Sequence, residues 1–256
     1  MKRFADHLAE RTARRTAELI VDGASAQMVQ HLDASIAATR AAAHEEAEWQ
    51  YRQLEATISL TAVLPLRAPL PRMRGYPISP DFGLAVVDAI DDTGAELVVE
   101  LGSGVSTLIC AYALEARGRG RLRSLEHLPD YAAQTRHLLE RHGFTDEHVE
   151  VRDAPLQEVT VGDDVFPWYD LRAVDDLSDI DVLVVDGPPG PSHPLARLPA
   201  LPLLHERVRP GGIVLLDDGD RPEEQEITRR WREALPSWSV DELDVEKGAF
   251  RLRKPM

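Results

Sequence analysis

The chain has 256 residues, with 29 Lys+Arg against 44 Asp+Glu, a formal charge of −15 and 43% hydrophobic content. That apolar share supports a buried core in one or two domains and excludes disorder as the main state. The acidic balance excludes nucleic acid and anionic membrane as partners, because each phosphate contact wants a Lys or Arg. A lone cysteine, Cys110, leaves no internal disulfide and no CxxC pair for metal or redox chemistry. With no apolar run near the roughly 18 residues of a membrane span and no uninterrupted apolar leader, the expected location is the reducing cytoplasm.

Residues 1–75 hold 10 Lys+Arg and 9 Asp+Glu, leaving 19 and 35 for residues 76–256, so the acidic excess lies entirely in the second part. The first part reads as helix to about Ile58, poor in turn formers except Gly23. A stripe runs through Met28, Leu32, Ile36, Thr39, Ala43, Ala47, Tyr51, Leu54 and Ile58 at spacings of three or four, apolar except at Thr39. Such a face is expected to be buried, against the second domain or against the same helix of another subunit in a homodimer; a partner-binding arm is the alternative. The basic start (Lys2, Arg3, Arg11, Arg14, Arg15) is interrupted by Asp6 and Glu10, which favours a solvated helix face over a transit peptide. Residues 62–80 carry five prolines and cannot continue a helix. The expected organisation is a helical region at 1–61, a Pro-rich linker at 62–78 and a second domain at 79–256, whose first helix is capped by Ser79 with Pro80 at its first position and runs to about Ile90.

Short apolar runs then alternate with helical segments, the pattern of a mostly parallel sheet covered by helices. Strands are expected at Glu96–Leu101, Leu122–Glu126, His148–Arg152, Asp181–Asp186 and Ile213–Leu216. Helices are expected at Ser106–Arg117, Tyr131–Arg141, Pro194–Arg207 and Glu223–Leu235. A closing hairpin, Ser237–Leu243 and Ala249–Arg253, completes a Rossmann-like sheet of seven strands with an antiparallel end.

Ligands in such folds bind beyond the carboxyl ends of the strands. The first strand ends at Glu100 and runs through Gly102, Ser103 and Gly104 to Ser106 and Thr107, a tight turn that lets a ligand approach the backbone and the free N–H groups of the next helix. It is not a Walker loop, since no GK[ST] follows, and Thr107 stands at the third glycine of GxGxxG. The second strand ends in Glu126, 24 residues after Gly102, placed to accept from both hydroxyls of a ribose, and His127 follows it. Asp153 and Ala154 follow the third strand, an acid and a small residue suited to an adenine amino group and its ring. The fourth strand ends in Asp186 and the fifth in Asp217 and Asp218. These three carboxylates repel one another unless a cation or a cationic side chain neutralises them. Trp168 and Tyr169, between the third and fourth strands, suit either a ring cover or helix packing.

The segments VVELGSGVST (98–107), SLEH (124–127), VRDAP (151–155), DVLVVDGPPG (181–190) and GGIVLLDD (211–218) together resemble the class I S-adenosylmethionine-dependent methyltransferases, from about residue 76 to the end. The resemblance implies that Glu100, Gly102 and Gly104, with Ser103, Ser106 and Thr107, surround the methionine part of the cofactor. It places Glu126 on the ribose and Asp153 with Ala154 by the adenine, His127 bordering it. It also implies O-methylation of a small-molecule or sugar hydroxyl. The acids are similar to those of metal-dependent O-methyltransferases, where Asp186, Asp217 and Asp218 would hold Mg²⁺; in metal-free relatives Asp186 alone faces the site. Asp186 and His193 are the candidate bases. The rival readings are an NAD-binding oxidoreductase and a noncatalytic Rossmann-like scaffold.

Overall fold

A computed structural model describes residues 2–145 and 148–256, with side-chain surroundings for all of these except 2–10, 17–27 and 191. The side chains of Lys2, Arg3, Asp6 and Glu10 therefore lie outside the described residues. Two compact units divide after Tyr51. Helix α1 (Lys2–Val63) runs through Gly23 without a break and supplies all of the first unit. The expected burial of its stripe is not found within the chain: Met28, Leu32 and Ile36 are 63%, 53% and 50% exposed, and Thr39, Ala43 and Ala47 are exposed too.

In the second unit the last turns of α1 bury Ala56 and Leu60, while Leu54 and Ile58 stay exposed, as does Tyr51 at the end of the first. Ala56 stands two residues, about 200°, from Leu54, so an apolar pattern in an Ala-rich helix fits two faces and tertiary contact chooses one. The Pro-rich segment is not a free linker. Leu64, Met73 and Ile78 are buried with Phe82 of α2 (Pro80–Thr93) in one core cluster.

The sheet has seven strands: β1 (Leu97–Leu101), β2 (Arg121–Glu126), β3 (Val149–Asp153), β6 (Ile180–Val185), β7 (Val208–Asp217), β8 (Ser239–Leu243) and β9 (Ala249–Arg253). Their order is β3-β2-β1-β6-β7-β9-β8, with β9 antiparallel to both neighbours. Because strand side chains alternate, Val98, Val182, Val184 and Ile213 pack with α2 and α3 (Val105–Ala116). Val99, Leu183, Val185 and Val214 face the other layer, which contains Trp231 of α6 (Pro222–Ala234). The helix α4 (Pro129–Arg141) forms as expected. Two expectations fail. Pro194–Arg207 is helical only at α5 (Ala200–Leu204), its start broken by prolines into turns. The stretch before β6 holds an unforeseen antiparallel pair, β4 (Leu156–Val161) and β5 (Asp164–Tyr169). Among the described residues no helix is long and apolar enough to cross a membrane.

One buried acid supports the turn after β1. Glu100 is fully buried, and its Oε2 accepts from Thr107 Oγ1 and Ser124 Oγ, both at 2.6 Å. Thr107 Oγ1 accepts in turn from the Gly104 amide at 2.9 Å. Burial pushes the Glu100 carboxyl up to about 7, against the hydrogen bonds that favour its charge. An acid raised on folding favours the folded state when protonated, so its contribution is full below its ordinary pKa of 4.5 and is lost as pH climbs to about 7. Urea unfolding at pH 5 and pH 8 should show wild type losing about 2–3 kcal/mol more than Glu100→Gln. Equal losses would refute this account.

Candidate functional site

The carboxyl ends of β1, β2 and β6 meet at a cavity of about 310 Å³, bordered by Gly102, Ser103, Glu126, His127, Tyr169 and Asp186. Gly102 is needed there twice over: its φ is +96, and a Cβ would lie 3.3 Å from the Asp186 backbone. A larger hollow, about 700 Å³, opens at the opposite strand ends beside Arg119, Asp181 and Arg209. Asp181 is committed there to structure, accepting from the Glu96 and Leu97 amides at 2.8 Å and pairing with Arg209.

Glu126 is 6% exposed in its side chain. Its Oε2 accepts from the Ser103 amide at 3.1 Å and from Ser103 Oγ at 3.0 Å, and its Oε1 from the Leu128 amide at 2.9 Å. His127 Nδ1 stands 3.0 Å from the same Oε1. Burial alone would raise this carboxyl, but His127, Leu128 and Ser103 outweigh it and hold it below the usual range. Ser103 Oγ also lies 2.9 Å from Thr135 Oγ1, so it can turn away and release a lone pair of Glu126 to a ligand hydroxyl.

The expected cluster of Asp186, Asp217 and Asp218 forms, with oxygens within 4.8 Å of one another, a spacing a hard divalent ion could use. Three cationic side chains already stand on it. Arg197, 4% exposed in its side chain, donates to Asp186 Oδ1 at 3.1 Å and to Asp218 Oδ2 at 2.8 Å, and lies 3.5 Å from Glu224 Oε1. It also donates to the backbone carbonyls of Asp186 and Asp217, at 3.1 and 2.9 Å. Lys247 Nζ donates to Asp217 Oδ2 at 3.3 Å and lies 3.5 Å from Asp218 Oδ1; Arg221 lies 2.9 Å from Asp218 Oδ2. Burial works against the charges of Arg197 and Lys247, yet the surrounding acids keep both firmly cationic. Burial and the neighbouring carboxylates push Asp186 and Asp217 up, while Arg197, Lys247 and Arg221 overcome burial to lower Asp218. The charge a metal would supply is thus supplied by side chains, and two of the oxygens it would need are already committed to Arg197.

Other expected site residues fall elsewhere. Glu100, Ser106 and Thr107 are buried behind the turn rather than on the cavity. Asp153 is 61% exposed in its side chain and paired to Arg136 at 3.0 Å, with Ala154 buried beside it. His193 is half-buried and does not border the cavity; its Nδ1 accepts from the Leu195 amide at 3.2 Å and its ring packs edge-on to Phe166. Trp168 joins the core, whereas Tyr169 does border the cavity. Three residues passed over in the sequence border the cavity, Arg197, Tyr76 and Tyr131, the two tyrosine rings 6.4 Å apart at the rim, and Lys247 reaches the acid cluster beside it. Arg197 carried a readable signal, a single charge inside the apolar run Leu195–Leu204; Tyr76, in a Pro-rich segment, carried none.

Residues 99–219 match a family described as a methyltransferase domain. The chain is 34% identical over 92 residues to Protein-L-isoaspartate O-methyltransferase 2 of Marinobacter nauticus, covering 34% of this chain and 39% of the relative. The match thus spans less than half of that relative's length. Among solved structures, an O-methyltransferase from Bacillus cereus in complex with SAH aligns at a TM-score of 0.54 and 21% identity, over 81% of this chain and 97% of its own. The O-methyltransferase TomG from Streptomyces achromogenes, involved in tomaymycin synthesis and in complex with SAM, aligns at 0.51 and 17%, over 71% and 82%. At these identities the likeness concerns the fold. The segment that matches the methyltransferase-domain family runs from β1 to just past the end of β7.

Proposed function

We propose that the protein transfers a methyl group from S-adenosylmethionine to a hydroxyl of a small molecule or sugar, in the cytoplasm and without a divalent ion. The observation that carries this reading is that Glu126 and Asp186 border one cavity from the strands on either side of β1, with the Gly102 turn between them. When bound, the cofactor supplies an already activated methyl group, so the protein's tasks are to orient the acceptor oxygen and to take its proton.

Glu126 accepts hydrogen bonds from the ribose hydroxyls as Ser103 Oγ turns to Thr135. Asp186 takes the acceptor's proton. Arg197 holds its Oδ1 and leaves Oδ2 to the substrate, and burial beside Asp217 makes Asp186 a stronger base than an ordinary carboxylate. Tyr76 and Tyr131 offer ring faces at the cavity mouth, a surface for a planar aromatic acceptor or the apolar face of a sugar.

Titration calorimetry should show S-adenosylmethionine binding in preference to NAD, and Glu126→Ala weakening it by about 1–3 kcal/mol; no affinity for S-adenosylmethionine would overturn the reading. Asp186→Asn should lower kcat by roughly 10²–10⁴-fold while cofactor affinity holds. It should also abolish the acid limb of the pH–rate profile, where activity falls as Asp186 gains its proton, above the ordinary carboxylate range. Exhaustive EDTA treatment should leave turnover unchanged, and loss of activity restored by Mg²⁺ would reject the metal-free site.

A further inference from the structure

Tyr169 borders the cavity although it is only 1% exposed, its ring packed edge-on against Trp168 and His127 with centroids 5.5 and 6.2 Å away. A tyrosine buried this far ordinarily gives its hydroxyl a partner. Tyr112 does so: its hydroxyl accepts from the Arg67 amide at 2.9 Å and lies 2.8 Å from His142 Nδ1. Among the described residues the Tyr169 hydroxyl makes no hydrogen bond, yet its oxygen is not sealed in the core, because it opens on the cavity. A buried donor aimed into a binding cavity is placed for a ligand.

The backbone fixes where that donor stands. The β4–β5 pair lies outside the seven-stranded sheet, and Tyr169 ends β5 opposite Leu156, which follows β3 by way of Ala154 and Pro155. The Asp170 amide donates to the Pro155 carbonyl at 3.1 Å, which pins this end of β5 beside the carboxyl end of β3. From there the side chain crosses to the far flank of the cavity. Its hydroxyl occupies the place that a Cβ on Gly187, just past β6, would take, so glycine at 187 leaves the room it needs. With its ring on His127 and its hydroxyl at Gly187, Tyr169 spans the floor from the Glu126 side to the Asp186 side.

What it would recognise follows from its protonation. Burial first, and Glu126 next, push the Tyr169 hydroxyl well above its ordinary pKa, with Arg197 opposing, so it keeps its proton and donates. Glu126, a carboxylate held in its charged form, only accepts. A nucleoside satisfies both: its ribose hydroxyls donate, while its ring oxygen and ring nitrogens accept. Anchorage beside the ends of β2 and β3 sets Tyr169 at the nucleoside half of the cofactor, on the side of Glu126. We infer that the Tyr169 hydroxyl donates a hydrogen bond to an acceptor atom of the adenosine half of bound S-adenosylmethionine, a recognition contact supplied by the β4–β5 pair. This inference rests on the reading of the cavity as a site for that cofactor.

Tyr169→Phe removes the hydroxyl and keeps the ring. Titration calorimetry of the full chain should show roughly tenfold weaker binding of both S-adenosylmethionine and S-adenosylhomocysteine. The same loss should appear for 5′-methylthioadenosine, which lacks the amino-acid part, measured by displacement of S-adenosylhomocysteine so that weak binding is read. Because the hydroxyl has no partner in the protein, the ligand-free variant should melt at the wild-type temperature. Unchanged affinity for all three ligands would refute the inference. A loss confined to the two complete ligands would move the contact to the amino-acid half and refute it as well. A lower melting temperature for the ligand-free variant would make the hydroxyl a structural group, again against the inference. A wild type that binds none of the three would instead bring down the cofactor reading beneath it.

Discussion

A guanidinium buried among four carboxylates is the constraint on which the carboxyl end of the sheet depends. Asp186, Asp217, Asp218 and Glu224 lie close enough together that their mutual repulsion and loss of water would drive them apart or force them to hold protons. Arg197 answers this with charge and shape together. Its planar fork reaches carboxylates on Asp186 and Asp218 and the backbone carbonyls that follow β6 and β7. It thereby ties two strand ends together at the edge of the cavity. A lysine, with one ammonium, could not hold all four atoms.

The opposite flank of the cavity uses a different device. Glu126 is charged by hydrogen bonds from backbone amides and from a serine with a second place to go. One flank is thus rigid, locked by ion pairs, and the other can exchange a protein donor for a ligand donor. Between them the Gly102 turn brings the backbone ends of β1 and β6 into contact, which any side chain would prevent. Behind the turn, Glu100 plays no part in the cavity and instead anchors Thr107, so two acids at adjacent strand ends have opposite tasks.

Much of this was legible in the residues. Strand positions followed from short apolar runs whose parity put Val98 and Val99 on opposite faces of the sheet, and the start of α2 from Ser79-Pro80. The β4–β5 pair was not legible, because its alternation is interrupted by Pro167 and by charged residues that carry no face preference. Asp153 ends β3 and Ser106 stands in the first turn of α3, yet the pairing of Asp153 with Arg136, and the burial of Ser106, depend on how side chains turn after the strand stops.

Local order along the chain determined which residues stand at the carboxyl ends of the strands, because periodicity and turn formers act over a few residues. Those rules placed Gly102, Glu126, Asp186, Asp217 and Asp218 at one edge. They could not say what neutralises the acids. Arg197 arrives from a broken helical segment and Lys247 from the closing hairpin, 30 residues beyond Asp217 in sequence. Only the tertiary structure brought a guanidinium and an ammonium to them. That meeting rests on contacts between segments that share no local pattern, and on the demand that buried charge find a partner.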